Sequence, residues 1–185
     1  MPLRPLTDTS PADWFVDSDV SWHVKVGLGP PGFDAYVRVL FDLDSEEPLS
    51  DVTLAGQVLD ILGKHTATAD NVYVGVWKGW GLWPKGNHPE ATSASDFGFV
   101  ERDYQLLSGR LSDALDPASL GLEDDSSSAV PHLIWPYDHG WFLAADVDPD
   151  WIGVGGSRKL IDEILGDDRF DAEATDYDAS DWETR

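Results

Sequence analysis

Cysteine is absent from all 185 residues, which excludes disulfide bonds, thiolate metal ligands and cysteine nucleophiles. Basic residues are scarce, since 12 Lys and Arg stand against 35 Asp and Glu and leave a formal net charge of −23. Such a chain repels nucleic acids and anionic lipids, because binding their phosphates requires Lys and Arg. We therefore expect neither a nucleic-acid partner nor a membrane partner. The charge is compatible with a basic protein partner, with adaptation to salt and with mimicry of a nucleic-acid surface, and an ordinary acidic surface is its simplest explanation.

Long apolar runs are also missing. No stretch approaches the roughly 20 residues needed to span a bilayer. Residues 1–14 lack the apolar segment of a signal peptide. Together these absences predict a cytoplasmic protein. With 42% hydrophobic residues, the chain can bury a core as a single domain over 1–185.

The clearest local pattern lies in residues 129–166. Three apolar runs separated by turn residues predict short strands, at His132–Trp135, Trp141–Val147 and Trp151–Val154. Side chains alternate along a strand, so Trp141 and Leu143 should share one face and Phe142 the other. Gly155–Gly156 is expected to break the third strand, and Ser157 to cap a helix that ends at Gly166.

Elsewhere the patterns predict further strands and one more main helix. The strands are expected at Trp22–Leu28, Ala35–Leu43 and Asn71–Trp77. Phe97–Val100 and Asp103–Ser108 are expected to form either two strands or one broken strand. The longest helix begins after Ser50 or Asp51 and ends near Gly63, because its apolar residues recur at helical spacing. The fold class is therefore α+β, with a mostly antiparallel sheet and two main helices packed on it. Residues 167–185 are acidic and weakly periodic and are expected to fray.

Tryptophan is unusually frequent, with nine in the chain. Trp at strand positions predicts core packing, whereas Trp80 and Trp83 are flanked by Gly and Pro in a predicted loop. These two residues are candidates for a binding surface, and packing within the loop is the alternative.

The segment Gly155-Gly156-Ser157-Arg158 offers a second candidate. A Gly-rich turn followed by a helix N-terminus and a cation can hold an anion. The spacing matches neither a P-loop nor a dinucleotide-binding motif. A tight turn followed by a capped helix explains the same residues without any ligand.

Metal or hydrolytic chemistry has only weak candidates, namely His132, His139, Asp146 and Asp148. They could converge across a hairpin, and His with carboxylate can bind a metal. The Asp-rich turn is not an EF-hand loop, because Trp151 replaces its glycine and Ser157 its final glutamate. Solvated turn aspartates are the simpler interpretation, so we predict no metal and no cofactor. Ser157 lacks the following glycine of a nucleophile elbow, where Lys159 stands instead.

Four segments, in order, resemble a group of uncharacterised actinobacterial proteins. They are Pro30–Leu40, Val76–Gly81, Leu133–Trp141 and Val154–Ser157 with the Leu/Ile helix that follows. The match departs after Leu40, where that group usually has His-Pro and this chain has Phe41-Asp42. The resemblance implies a bacterial, cytoplasmic origin. Because the group has no known activity, it implies no site residue.

Two functions from different classes remain as hypotheses. The first is a non-catalytic acidic binding protein, for example an inhibitor or immunity protein against a basic toxin or nuclease. The second is a small hydrolase or cation-dependent enzyme with a His/Asp site on the 132–148 strands. The first is preferred, because no motif in the sequence specifies a reaction.

Overall fold

The computed structural model describes residues 3–41, 49–80, 96–99, 102–120 and 130–177. Within them the fold is α+β, as predicted, and every strand pairing is antiparallel. The strands are β1 (Arg4–Pro5), β2 (Ala35–Leu40), β3 (Val72–Trp77), β4 (Asp96–Phe99), β5 (Arg102–Gly109), β6 (Leu133–Pro136), β7 (Trp141–Ala144), β8 (Trp151–Gly156) and β9 (Ala172–Thr175). They form one sheet in the order β1-β5-β3-β6-β7-β8-β2-β9, with β4 also paired to β5.

Four α-helices accompany the sheet in the described residues, rather than two. They are α1 (Asp13–Val16), α2 (Trp22–Leu28), α3 (Asp51–Leu62) and α4 (Arg158–Leu165). None of the described helices is long and apolar enough to cross a membrane.

The two predicted main helices, α3 and α4, pack on one face of the sheet. Their N-caps are the expected serines: Ser50 Oγ accepts from the Thr53 amide at 3.2 Å and Ser157 Oγ accepts from the Leu160 amide at 3.3 Å. Their apolar residues join the aliphatic core of the sheet, for example Val58 and Ile161. Local capping and helical periodicity therefore predicted both elements correctly.

The opposite face carries an aromatic core under the N-terminal segment. Phe142 stacks on Phe15 of α1 at 5.1 Å and on Trp135 at 5.3 Å between ring centroids. The predicted alternation along β7 is confirmed, because Trp141 and Leu143 belong to the aliphatic core and Phe142 to the aromatic one.

The prediction of a strand at Trp22–Leu28 is wrong, because this segment is α2. Over seven residues its apolar positions satisfy both the strand period and the helical period. Tertiary packing decides between them, since α2 lies against β7 and β8 and buries Lys25 through Leu28. Gly153 of β8 permits this approach, because a Cβ there would overlap the carbonyl oxygen of Gly27.

The predicted break at Gly155–Gly156 is also wrong. The strand β8 continues through Gly156, and both Gly155 and Gly156 pair with β2 on one side and with β7 on the other. A Cβ at Gly155 would lie 2.6 Å from ring atoms of both Phe33 and Tyr36. The glycine therefore makes room for two aromatic rings and does not form a turn.

Residues 167–177, the described part of the segment expected to fray, contain a paired strand. Ala172–Thr175 forms β9, which pairs with β2, and the Leu40 amide donates to the Asp171 carbonyl at 2.8 Å. The chain continues to Tyr177, whose hydroxyl donates to the carbonyl oxygen of Gly29 at 2.7 Å. Exposed, alanine-containing residues carry little strand signal, and β9 forms because β2 offers it a backbone edge. Residues 178–185 lie outside the described part of the chain.

Candidate functional sites

A buried polar cluster gathers three of the four residues predicted as metal or hydrolase candidates. We call it the Arg102 cluster, comprising Arg102, Asp146, Asp148, His132 and Trp77. Arg102 opens β5, and the two aspartates follow β7. Arg102 Nε donates to Asp146 Oδ1 and Nη2 to Asp146 Oδ2, each at 3.1 Å, and Nη2 also donates to Asp148 Oδ2 at 2.6 Å. The guanidinium thus holds Asp146 in the geometry of a bidentate ion pair and Asp148 through a single hydrogen bond.

Aromatic side chains complete the surroundings of Arg102. The guanidinium carbon lies 4.7 Å from the ring centroid of Trp77 and 5.4 Å from that of Trp22. The side chain of Asp146 is 3% exposed and that of Asp148 is 76% exposed. Asp146 is therefore the buried partner, and the packing holds its carboxylate on the arginine.

His132 is also fully buried in this cluster. The Trp77 amide donates to His132 Nδ1 at 3.0 Å, so the neutral ring carries its proton on Nε2. Burial, assisted by the positive charge of Arg102, lowers the pKa of His132 to about 3. The imidazole is therefore neutral at physiological pH and serves as an acceptor for the backbone of β3.

Tyr104 lies beside these residues on β5 and is 0% exposed. Its hydroxyl has no hydrogen-bond partner among the described residues. Burial and the nearby Asp146 carboxylate raise the pKa of Tyr104. The phenol is thus a neutral part of the aromatic core next to Arg102.

His139 lies apart from the other candidates. Its ring stacks on Trp14 of α1 at 4.1 Å between centroids, with 9° between the ring planes. Its backbone φ of 53° places it in the left-handed region. Among the described residues, no group of three His, Cys, Asp or Glu side chains could hold a metal ion. The structure therefore brings His132 near Arg102 and its aspartates, and does not assemble the four residues as ligands.

The candidate anion segment has a different geometry from the one predicted. Gly155 and Gly156 are strand residues, and Ser157 uses its hydroxyl to cap α4. Arg158 is exposed, and its Nη2 donates to the carbonyl oxygen of Asp34 at 3.3 Å. Of the four candidates, only Arg158 presents an exposed charged group.

The tryptophan candidates fall at the limit of the described residues. Trp80 ends a short 3-10 helix, Lys78–Trp80. Trp83 lies outside the described part of the chain.

A groove between α4 and β9 was not predicted from the sequence. It encloses about 470 Å³ and is lined in part by Tyr36, Ile161, Ala174 and Tyr177. Its charged lining includes Arg158, so one sequence candidate does contribute to it. The groove requires β9, and the sequence carries no strong signal for that strand. A smaller groove of about 320 Å³ lies beside α3 and includes Asp60 and Asp70.

Within the described residues, the two grooves provide concave, charged surfaces, and the Arg102 cluster provides no free catalytic group. Arg102 holds Asp146 and Asp148, and the neighbouring His132 is neutral and accepts a hydrogen bond from the backbone. Comparison with protein-family models, with curated proteins and with solved structures finds no match to this chain.

Proposed function

We propose that residues 1–185 act as a single-domain, non-catalytic binding protein whose partner is a basic protein. The observation that carries the proposal is the net charge of −23, from 35 acidic and 12 basic residues. Opposite charge on a partner steers encounter and favours complementary surfaces. An inhibitor or immunity protein against a basic toxin or nuclease is one member of this class.

The geometry of the Arg102 cluster argues against hydrolysis at these residues, which was the alternative function. A general base near neutral pH needs an accessible group with a pKa close to 7. Burial lowers the pKa of His132 to about 3, and its Nδ1 already accepts the Trp77 amide. Asp146 is held on Arg102 by two hydrogen bonds. His132 and Asp146 are therefore occupied by bonds that stabilise the fold, whereas a hydrolase would expose such groups to its substrate.

The proposal places the protein in the cytoplasm. It is supported by the absence of cysteine from the 185 residues, since disulfides are typical of domains in oxidising compartments. A basic toxin or nuclease acting in the same compartment would be a suitable partner.

The test is affinity capture with the whole chain immobilised in a native lysate at moderate salt. We expect a protein of basic isoelectric point to be retained, and to be released as salt screens the charges. The purified candidate should then bind at a defined stoichiometry in calorimetry. If it is an enzyme, equimolar addition of the acidic chain should inhibit it.

An unrelated acidic protein of similar net charge serves as the control bait. Retention of the same proteins by both baits would show simple ion exchange and would contradict the proposal. The absence of any basic protein on the bait at moderate salt would contradict it as well.

A further inference from the structure

The groove between α4 and β9, which we call the edge groove, combines an apolar floor with a strand edge. Its volume is about 470 Å³. Ile161 is buried at its floor, and Leu165 is 38% exposed beside it. Ala174 of β9 contributes to the lining. The space is thus bounded by a helix face on one side and by a strand at the end of the described sheet on the other.

The pairing register shows which backbone groups of β9 point away from β2. The Leu40 amide donates to the carbonyl of Asp171, so residue 171 directs its backbone groups toward β2. In an antiparallel pair these directions alternate along the strand. Glu173 and Thr175 therefore also face β2, opposite Arg38 and Tyr36. The N–H and C=O groups of Ala174 point away from β2, where a further strand could pair with them.

The charge of the edge groove selects the kind of segment that fits. Its lining contains three carboxylates, Asp34, Asp162 and Asp176, and one guanidinium, Arg158. All four residues are exposed. Arg158 Nη2 donates to the backbone carbonyl oxygen of Asp34. A lysine- or arginine-rich segment therefore complements this surface.

Two other occupants bring the wrong charge. Residues 178–185 follow the groove directly in sequence, but they contain three carboxylates and one guanidinium. A second copy of the chain, paired edge to edge, would place the same aspartates opposite each other. Like charges at an interface oppose association.

We propose that the edge groove binds an extended basic segment of the partner protein, which adds to the sheet as a strand beside β9. Main-chain hydrogen bonds to Ala174 supply the pairing, and apolar side chains of the segment contact Ile161 and Leu165. Its cations lie near the groove aspartates. This inference rests on the proposed function, because it names the surface through which the basic partner is held.

The test uses a fluorescein-labelled peptide of alternating lysine and valine, with the glutamate–valine peptide as its control. Fluorescence anisotropy measures binding to the whole chain at low and at moderate salt. We expect the lysine peptide to bind, with affinity falling as salt rises, and the glutamate peptide not to bind. Asp162→Asn/Asp176→Asn should weaken binding by about fivefold to tenfold, as for two lost surface ion pairs.

Ala174→Pro removes the outward N–H while leaving the bonds between β9 and β2 in place. It should weaken peptide binding at least about tenfold, the effect of losing a buried main-chain hydrogen bond at an added strand. The matched control is Asp60→Asn/Asp70→Asn in the groove beside α3, which changes the net charge equally. It should leave peptide affinity within about twofold of the unsubstituted chain.

Hydrogen exchange in the unsubstituted chain provides a second measurement that does not depend on folding of the proline variant. Added lysine peptide should protect the Ala174 amide. Absence of peptide binding, equal weakening by both Asp-to-Asn pairs, or unchanged exchange at Ala174 would overturn the proposal. Dimerisation abolished by Ala174→Pro would also overturn it, since the occupant would then be a second copy.

The capture experiment separates this inference from the proposed function. If the same basic protein is retained by the unsubstituted chain and by Ala174→Pro, the proposed function stands and the edge groove is wrong. If no basic protein is captured but the lysine peptide binds through Ala174, the groove stands as a strand-addition site and the proposed partner class is wrong.

Discussion

Stability should fall below about pH 6.5 because His132 is buried as a neutral imidazole. Its pKa is 6.5 in the unfolded chain and about 3 in the fold. Between pH 3 and pH 6.5, the unfolded chain therefore binds a proton at His132 more readily than the folded chain does. The stabilisation of the fold by a neutral His132 is fully present above pH 6.5 and is lost as the pH falls below that value. By linkage, the free energy of unfolding should drop by about 2 kcal/mol from His132 alone between pH 8 and pH 5.

The perturbation that isolates this contribution is His132→Asn. The Asn Oδ1 can take the position of Nδ1 and accept the Trp77 amide, so the backbone bond at 3.0 Å has a replacement. The variant will be less stable at all pH values because the smaller side chain leaves a cavity. Its pH dependence between pH 5 and pH 8 should nevertheless be weaker than that of the unsubstituted chain by about 2 kcal/mol.

Urea unfolding at pH 5, 6.5 and 8, followed by the fluorescence of the nine tryptophans, measures this difference. The carboxylates and His139, whose pKa is also lowered by burial, are present in both proteins and cancel in the comparison. An equal pH dependence in the two proteins would refute the argument. So would an NMR titration in which the His132 ring takes up a proton near pH 6.5 in the folded chain.

Three further substitutions test the packing and the polar cluster by urea unfolding. Gly153→Ala should destabilise the fold by about 3 kcal/mol, because the added Cβ overlaps the backbone of α2 at Gly27. The control Gly56→Ala in α3 should be neutral or stabilising by up to about 1 kcal/mol. Equal effects of the two substitutions would contradict a close contact between β8 and α2. Arg102→Met should lower the free energy of unfolding by about 3–5 kcal/mol, because it leaves the Asp146 carboxylate buried without a counter-charge. The double variant Arg102→Met/Asp146→Asn should recover part of that loss. A double variant no more stable than Arg102→Met would show that the buried charge of Asp146 is not the cause. Ser157→Ala should lower the free energy of unfolding by about 1 kcal/mol, because α4 loses its N-cap hydrogen bond. Ser157→Asp should retain most of the capping stabilisation. An unchanged unfolding midpoint in Ser157→Ala would show that the cap contributes nothing.

Local chemistry was sufficient to predict α3 and α4. A serine cap, apolar residues at helical spacing and a terminal glycine all act within a few residues of one another. The alternation along β7 was equally predictable, because strand geometry assigns Trp141 and Phe142 to opposite faces. The antiparallel pairing of β6, β7 and β8 was predictable from the short turns between them, which do not allow a parallel crossover.

Short or ambiguous segments were decided by their neighbours. Trp22–Leu28 satisfies two periodicities, and its packing against β7 and β8 decides for a helix, with Gly153 permitting the close approach. The pair Gly155–Gly156 is compatible with a turn or with a closely packed strand, and the rings of Phe33 and Tyr36 select the strand. The predicted anion-binding loop at Gly155–Arg158 is therefore absent, because its glycines belong to β8.

The candidate sites depend on contacts that are distant in the sequence. Arg102 meets Asp146 across 44 residues, and no spacing rule connects them. The same contact explains why two predicted metal candidates are instead partners of a guanidinium. The edge groove exists only because β9 pairs with β2, although its own residues carry little strand propensity.

The sequence by itself determined the net charge, the absence of thiol chemistry and the capped helices, because each depends on residue identity or on near neighbours. Tertiary structure decided that Asp146 is buried on Arg102, that His132 is neutral, and that exposed aspartates line the groove between α4 and β9. Burial and pairing between distant segments set the protonation and accessibility of a side chain, and these properties determine what it can bind.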